Sequence, residues 1–417
     1  MCGSRKKRGE AVNTVVIGGG AAGMLAAYFR KLAGENVILL EKNEKLGKKM
    51  YITGKGRCNV TNDCDESEFL QNVVSNSPFM RSAIYAFPPE KLMRFLTDGG
   101  LNIKTERGNR VFPLSDKSSD VIKCFKTYLD TSGVQIEYNT VALKINAENG
   151  AVKSVLTDKG EIFCDEVIVC TGGKSYPATG STGDGYKFAE QLGHTVIKPR
   201  AALAGLELSG GDFASLSGLT LKNTGITVFK NGKKFYEDFG EFLFTHHGAS
   251  GPTVLSASSY IGAGGNGNYE ISLDLKPALD EKTLDARVLR DFAEFKGKAL
   301  KNSLDKLLPK SLIKFVITYS GLNGDKKNGE ITAAERKKLV YALKNLRFKI
   351  IKTRPIEEAI VTGGGVCVKE INPKTMESKL VKGLYFAGET IDVDALTGGF
   401  NLQCAFSTAY LAGRGDL

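Results

Sequence analysis

At 417 residues the chain can bury a large core and form two or three domains. Its hydrophobic content of 42% is ordinary for a globular protein, and no apolar run reaches the roughly 18 residues of a membrane span, so no membrane partner is expected. The net charge of +11 is concentrated: residues 282–352 hold 18 basic and 7 acidic side chains, and the rest of the chain is balanced. That segment reads first as a solvated helical face, and second as a surface steering an anionic partner.

The start, MCGSRKKRGE, is basic and is followed by no apolar region or cleavage site, so it does not read as a signal peptide. Eight cysteines show no C-x-x-C spacing, which fits reduced thiols in a cytoplasm. The three histidines and scattered cysteines give no ligand spacing, so no metal is expected.

The strongest signal lies at Asn13–Gly23, NTVVIGGGAAG. Val15, Val16 and Ile17 form a β-branched run suited to a strand buried on both faces of a parallel sheet. Gly18, Gly20 and Gly23 then give G-x-G-x-x-G, and the pattern turns helical from Ala21. Gly18 permits the sharp turn, Gly20 lets backbone approach a pyrophosphate, and Gly23 lets helix and strand pack closely. A second apolar strand, NVILLE, ends in Glu41, 18 residues after Gly23, where a carboxylate can hold a ribose 2′-OH. The strand before, the helix after and the acid at this distance together predict a dinucleotide site.

After Glu41 come Lys42, Gly47, Lys48 and Lys49, then Thr53-Gly54-Lys55-Gly56-Arg57-Cys58-Asn59. This loop is expected to fold back over the nucleotide, with its N–H groups and Arg57 meeting phosphate or flavin oxygens. Cys58 falls inside that ligand-like loop. Helical spacing follows over Phe69–Met80, Pro89–Leu96 and Ser118–Leu129, with a short strand at Arg110–Pro113. Gly133–Val141 reads as a strand, and Lys144–Ile145 with Val152–Leu156 as a hairpin around Asn149-Gly150. Glu166–Gly173, EVIVCTGG, runs a strand into Thr171-Gly172-Gly173, a loop that leaves a doubly wound sheet beside the dinucleotide.

From about Arg200 short strands and turns predict a small β domain, with Asn231-Gly232 as a hairpin turn. Residues 280–345 read as helical, and Lys349–Ile360 returns to strand. Val361–Val366, with three consecutive glycines, lacks the G-x-G-x-x-G spacing and reads as a tight strand crossing near the cofactor. Finally Leu384–Ala387 leads into Gly388-Glu389, and Gly398-Gly399-Phe400-Asn401-Leu402-Gln403 opens a helix to Leu411. A helix N-terminus aimed at the N1–C2=O edge of a flavin stabilises the negative charge of its reduced form. Both ends of the chain therefore supply one site.

Together the N-terminal strand-turn-helix, TGKGRCNVTN, CTGGKSYPATGSTGDGY, LFTHHGASGP and GLYFAGETIDVDALTGGFNLQ resemble the BaiN/RdsA family of NAD(P)/FAD-dependent oxidoreductases, the aminoacetone-oxidase-like bacterial flavoproteins, over about residues 12–413. The resemblance implies an α/β fold: a two-dinucleotide-binding-type, Rossmann-like FAD domain interrupted by a β-barrel-like domain and a helical subdomain. The boundaries expected are 12–195 with 353–417 for the FAD domain, 196–279 with 346–352 for the β-rich insert, and 280–345 for the basic helices. By matching position, Gly18, Gly20, Ala22 and Gly23 would contact the pyrophosphate and Glu41 the adenosine ribose, with Lys42 beside it. Gly56, Arg57, Cys58 and Asn59 would lie along the ribityl and isoalloxazine, and Val141 would offer its backbone to adenine. Thr171, Gly172 and Gly173 would flank the cofactor. Gly388 and Glu389 would hold the ribityl–pyrophosphate region, and Gly399, Phe400, Asn401 and Leu402 the flavin pyrimidine. The sequence departs from the family at Ala395 and Phe400, where glycine and tyrosine are expected, and at Cys404, where tryptophan is common.

The activity implied is FAD-dependent reduction of a small organic substrate such as an activated alkene, with NADH or NADPH as a transient electron donor. Some relatives reduce conjugated double bonds in steroid-like bile acid intermediates. No catalytic residue is assigned. Tyr176, His246 and His247 are proton-donor candidates, though Tyr176 precedes a proline in a turn and the histidine pair is better read as capping backbone groups. The alternative is an RNA-modifying flavoprotein using the basic helices to hold RNA. Nucleic acid is the less favoured partner, because those helices are leucine-rich and show no obvious aromatic stacking face. A third alternative is a FAD-bound scaffold or electron-transfer partner. The chain is expected to be a monomer or homodimer.

Overall fold

The computed structural model describes residues 13–415, so the basic start of the chain and Cys2 lie outside the described residues. The chain divides into two compact units. One runs up to Ala202 and resumes at Ile356; the other is Leu203–Pro355.

The first unit is built on five parallel strands: β1 (Asn13–Ile17), β2 (Asn36–Glu41), β3 (Gln135–Tyr138), β4 (Glu166–Val169) and β5 (Leu384–Phe386), in the order β5-β4-β1-β2-β3. β1, the central strand, is buried from Thr14 to Ile17, as its β-branched run requires. Helix α1 (Ala21–Leu32) presents small residues, Ala22, Ala26 and Ala27, to the interior. The C-terminal helix α2 (Phe400–Gly413) packs against it, so closely that a methyl at Gly413 would lie 2.8 Å from the Ala26 carbonyl oxygen.

The helix expected over Phe69–Met80 is two helices, Glu66–Gln71 and Ser77–Ala86. Pro78 opens the second and Asn76, at φ 58°, breaks the run before it. Asn149-Gly150 forms a hairpin turn with both residues at positive φ, joining Ala142–Glu148 to Ala151–Thr157. Strand Val196–Ala202, read from sequence as the start of the insert, pairs antiparallel with Val361–Val366 of the first unit.

The second unit is a closed six-stranded antiparallel barrel whose ends meet where Leu206–Ser209 pairs with Leu346–Thr353. Asn231-Gly232 turns its longest hairpin, Thr220–Lys230 with Lys233–Thr245. Phe242, Phe244, Ile271, Leu273 and Phe348 fill its interior. Helices Glu281–Glu294, Lys310–Tyr319 and Ala333–Lys344 bury their leucine faces in the same core. Thr332 and Glu335 close a capping box on the last of these. The strand expected over Lys349–Ile360 stops at Thr353, before Arg354-Pro355.

One buried cation ties the first unit together. Arg30, only 2% exposed, donates from Nη1 to Glu35 at 2.8 Å and approaches Glu166 of β4 at 2.5 Å. Its Nε donates to the Ala412 carbonyl of α2 at 2.9 Å, and its guanidinium lies 4.5 Å from the ring centre of Tyr385 on β5. Truncating it strands two carboxylates in a poorly solvated place. Arg30→Ala is expected to cost about 3–5 kcal/mol in urea unfolding. A loss below about 1 kcal/mol would show that the contacts contribute no net stability.

Candidate functional site

The turn after β1 is held by contacts only glycine allows. A methyl on Gly18 (φ 106°) would lie 2.5 Å from the Cys170 carbonyl oxygen, and one on Gly23 would lie 1.8 Å from the Gly18 carbonyl oxygen. Gly20 differs: a methyl there would meet no protein atom within 4 Å. Packing therefore dictates Gly18 and Gly23, and leaves open space in front of Gly20 at the start of α1. No acidic side chain occupies the first turn of α1 and no side chain caps it, so its free N–H groups and positive dipole end, which include Ala22, face that space unneutralised.

Glu41 ends β2 beside this turn. Its Oε2 accepts from the Gly19 N–H at 2.9 Å and its Oε1 from the Asn43 N–H at 2.8 Å and the Asn43 side-chain amide at 2.6 Å, which fixes the carboxylate while leaving a lone pair on Oε2. Lys42 is drawn across to Asp184 (2.7 Å) and Thr182 (2.6 Å).

The loops after β4 and β5 form a second wall. Gly388 (φ 71°) passes so close to α1 that a methyl would lie 2.9 Å from the Ala22 Cβ. Gly173 abuts Thr362, whose Oγ1 would be 2.3 Å from a methyl. Glu389 is clasped by the Lys49 Nζ (2.7 Å), the Ser175 hydroxyl (3.0 Å) and the Thr362 N–H (2.7 Å). The Thr171 hydroxyl oxygen is buried with no hydrogen-bond partner, and Gly172 beside it takes φ 72°.

The loop Met50–Asn59 carries Gly54, Lys55, Gly56 and Cys58 at positive φ. Cys58 is fully buried, and burial pushes its thiol up to about 11. The Asn59 Oδ1 is also buried without a partner. Arg57 is placed differently from the sequence expectation. Its guanidinium donates to Glu106 and Asp116 and stacks 4.1 Å from the Phe112 ring centre, so its charge is engaged by the hairpin formed by Ile103–Glu106 and Arg110–Pro113 and by the turn after it. Two carboxylates hold it firmly protonated, which raises its pKa further. Val141 likewise uses its backbone internally: its N–H donates to the Asp158 carboxylate at 2.9 Å and its carbonyl accepts from the Asp158 N–H at 3.0 Å.

At α2, a methyl on Gly399 (φ 102°) would lie 2.2 Å from the Thr61 carbonyl oxygen. The Asn401 side chain clasps the preceding loop, donating to the Ala395 and Leu396 carbonyls and accepting from the Ala395 N–H. Phe400 is buried edge-on against Phe69, Leu402 is half-buried beside it, and Cys404 is buried. Lys49, Ser175, Thr362, Asn43 and Asp184 were assigned no role from sequence. The partners joined by Lys49 lie 126 and 340 residues away, and no local spacing reveals them.

Of the proton-donor candidates, Tyr176 takes φ 51° and donates its N–H to the Glu357 carbonyl. His246 and His247 are exposed in a barrel turn of the second unit, where the His247 carbonyl accepts from the Leu208 N–H. The gap before Gly20 and the open helix end, beside the anchored Glu41 carboxylate, form the kind of anion-accepting helix N-terminus that phosphates occupy.

The family model described as "HI0933-like protein Rossmann domain" matches residues 12–415. The chain is 30% identical over 406 residues to the 3-dehydro-bile acid delta(4,6)-reductase of Clostridium scindens, covering 96% of this chain and 97% of the relative. It is 32% identical over 402 residues to a ribosomal RNA dihydrouridine synthase of Haemophilus influenzae, covering 95% and 96%. Among solved structures, the 3-ketosteroid-delta4-(5alpha)-dehydrogenase of Rhodococcus jostii RHA1 shares the fold at a TM-score of 0.51 and 13% identity, covering 98% of this chain and 96% of that one.

The raised Cys58 thiol leaves roughly one molecule in a thousand as thiolate at pH 8. Iodoacetamide at pH 8 is expected to spare Cys58 while modifying the half-buried Cys367, as read by peptide mass spectrometry. Equal labelling of the two would show that the loop opens in solution.

Proposed function

The chain belongs to the HI0933-like Rossmann family, a family of oxidoreductases, and from that premise we propose that it is a FAD-dependent reductase acting on an activated alkene, with NADH or NADPH as electron donor. The observation that carries this reading is the full-length likeness to the bile acid delta(4,6)-reductase. The name of the second relative points to the same chemistry, because dihydrouridine is uridine with a carbon–carbon double bond next to a carbonyl reduced. Both reactions deliver a hydride to a carbon made electrophilic by conjugation and a proton to its neighbour.

FAD, when bound, supplies the hydride chemistry. The chain supplies position and charge. Gly18, Gly20, Ala22 and Gly23 hold the pyrophosphate against the α1 N-terminus, and Glu41 holds the ribose with Lys42 at its side. Gly56, Cys58 and Asn59 line one flank, and Thr171, Gly172, Gly173, Gly388 and Glu389 the other. Gly399, Phe400, Asn401 and Leu402 set the α2 N-terminus. Val141 would meet adenine only through the free lone pair of its carbonyl. Arg57 acts on the shape of its loop. The cysteines described are all free thiols, which supports a reducing cytoplasm as its compartment.

A second reading, an RNA-modifying reductase, is favoured by the dihydrouridine synthase relatives together with the excess positive charge of residues 282–352.

Anaerobic titration of the yellow protein distinguishes these readings. One nicotinamide is expected to bleach the flavin band, and a 3-oxo-4-ene steroid to restore it within seconds to minutes. Failure of both nicotinamides would remove the donor assignment. Restoration by unmodified ribosomal RNA but by no small enone would replace the first reading with the second.

A further inference from the structure

Of the 18 basic side chains between Lys282 and Lys352, seven sit in ion pairs: Arg287, Lys301, Lys306, Lys326, Arg336, Lys344 and Lys352. The rest have no carboxylate partner among the described residues. Three of these, Lys282, Lys337 and Lys338, are exposed and line a groove of about 900 Å³ in the second unit. The groove runs between the start of helix Glu281–Glu294, the end of helix Lys310–Tyr319 and helix Ala333–Lys344.

Two tyrosines share it. Tyr341 is 54% exposed, has no ring partner and lies one turn beyond Lys337 on the same helix face. Tyr319 is 37% exposed, and its hydroxyl is anchored by the Arg347 N–H at 3.0 Å, which fixes its ring at the groove edge. Two acids also line the groove. Asp285 is neutralised by a two-point pair with Arg336 (2.7 and 3.0 Å), and Glu281 sits in the first turn of its helix, where the dipole offsets it. The uncompensated charge of the groove is positive.

An open groove with exposed ammonium groups and exposed flat rings lacks the converging buried donors that hold a small anion. It matches a chain of phosphates carrying unstacked bases. We propose that this groove binds a single strand of RNA, its phosphates against Lys282, Lys337 and Lys338 and a base stacked on Tyr341. This rests on the RNA reading above and gives it a location on the second unit. The sequence hid the aromatic face because Tyr319 and Tyr341 lie 22 positions apart, on different helices.

The test is fluorescence anisotropy of the full-length yellow protein with a labelled unstructured 12-nucleotide RNA, between 50 and 200 mM salt. The triple variant Lys337→Glu/Lys338→Glu/Tyr341→Ala is expected to bind at least about thirtyfold more weakly, with a log–log salt slope shallower by about 1.5. Its flavin spectrum and melting temperature should match wild type. The charge-matched variant Lys296→Glu/Lys298→Glu, outside the groove, should lose less than about fivefold. Equal losses in both variants would assign binding to diffuse charge and overturn the groove. Wild type that binds no RNA would overturn the groove and the RNA reading together, while bleaching by a nicotinamide and recovery with an enone would leave the first reading intact.

Discussion

The first unit depends on one close approach. Helix α1 begins against the end of β1 and the start of the loop after β4, with so little room that a methyl at Gly23 or Gly18 would overlap backbone oxygen. This contact fixes where the free N–H groups of α1 point. It also places the loops after β4 and β5 beside them, since β4 and β5 follow β1 in the sheet. Gly388 then passes over Ala22, and α2 packs along α1. Residues from both ends of the chain thus converge on one edge of one sheet, as open α/β sheets place their ligands. Gly20 gives the clearest sign of what that edge is for, because nothing in the protein itself requires glycine there.

Some buried polar groups are satisfied by the protein and others are not. Gln403 and Asn401 bond to protein atoms through both ends of their amides and hold the walls in place. Asn59 and Thr171 keep buried oxygens without partners. A buried oxygen of this kind costs about 1–3 kcal/mol unless something satisfies it. The barrel of the second unit closes on itself, and that unit carries all of the unpaired positive charge of residues 282–352.

Much of this was legible from the chain. β1, α1, β2 and Glu41 declare themselves because a β-branched run, three glycines and an acid fall within 29 residues. The start of α2 is legible for the same local reason. Nonlocal features were not. Barrel closure joins Leu206 to Thr353 across a helical insertion, and no periodicity announces it. Arg57 looked like a ligand group by its neighbours in sequence, but Glu106 and Asp116, from a hairpin and a turn well downstream, claim its charge. Val141 was assigned by position in a family pattern, and the Asp158 side chain that caps it lies 17 residues on. Val196–Ala202 read as insert because it borders the barrel in sequence, whereas its ladder partner lies beyond the barrel, at Val361–Val366.

The central claim is that the space before Gly20 is the pyrophosphate site of FAD. The most direct measurement is the FAD content of purified wild type and Gly20→Val, by absorbance and by release on denaturation, with melting of the FAD-stripped proteins as the control for folding. The account expects about one FAD per wild-type chain, loss of most of it in the variant, and stripped proteins that melt alike. A wild-type protein that neither holds nor takes up FAD, or a Gly20→Val protein that keeps a full complement, would contradict it.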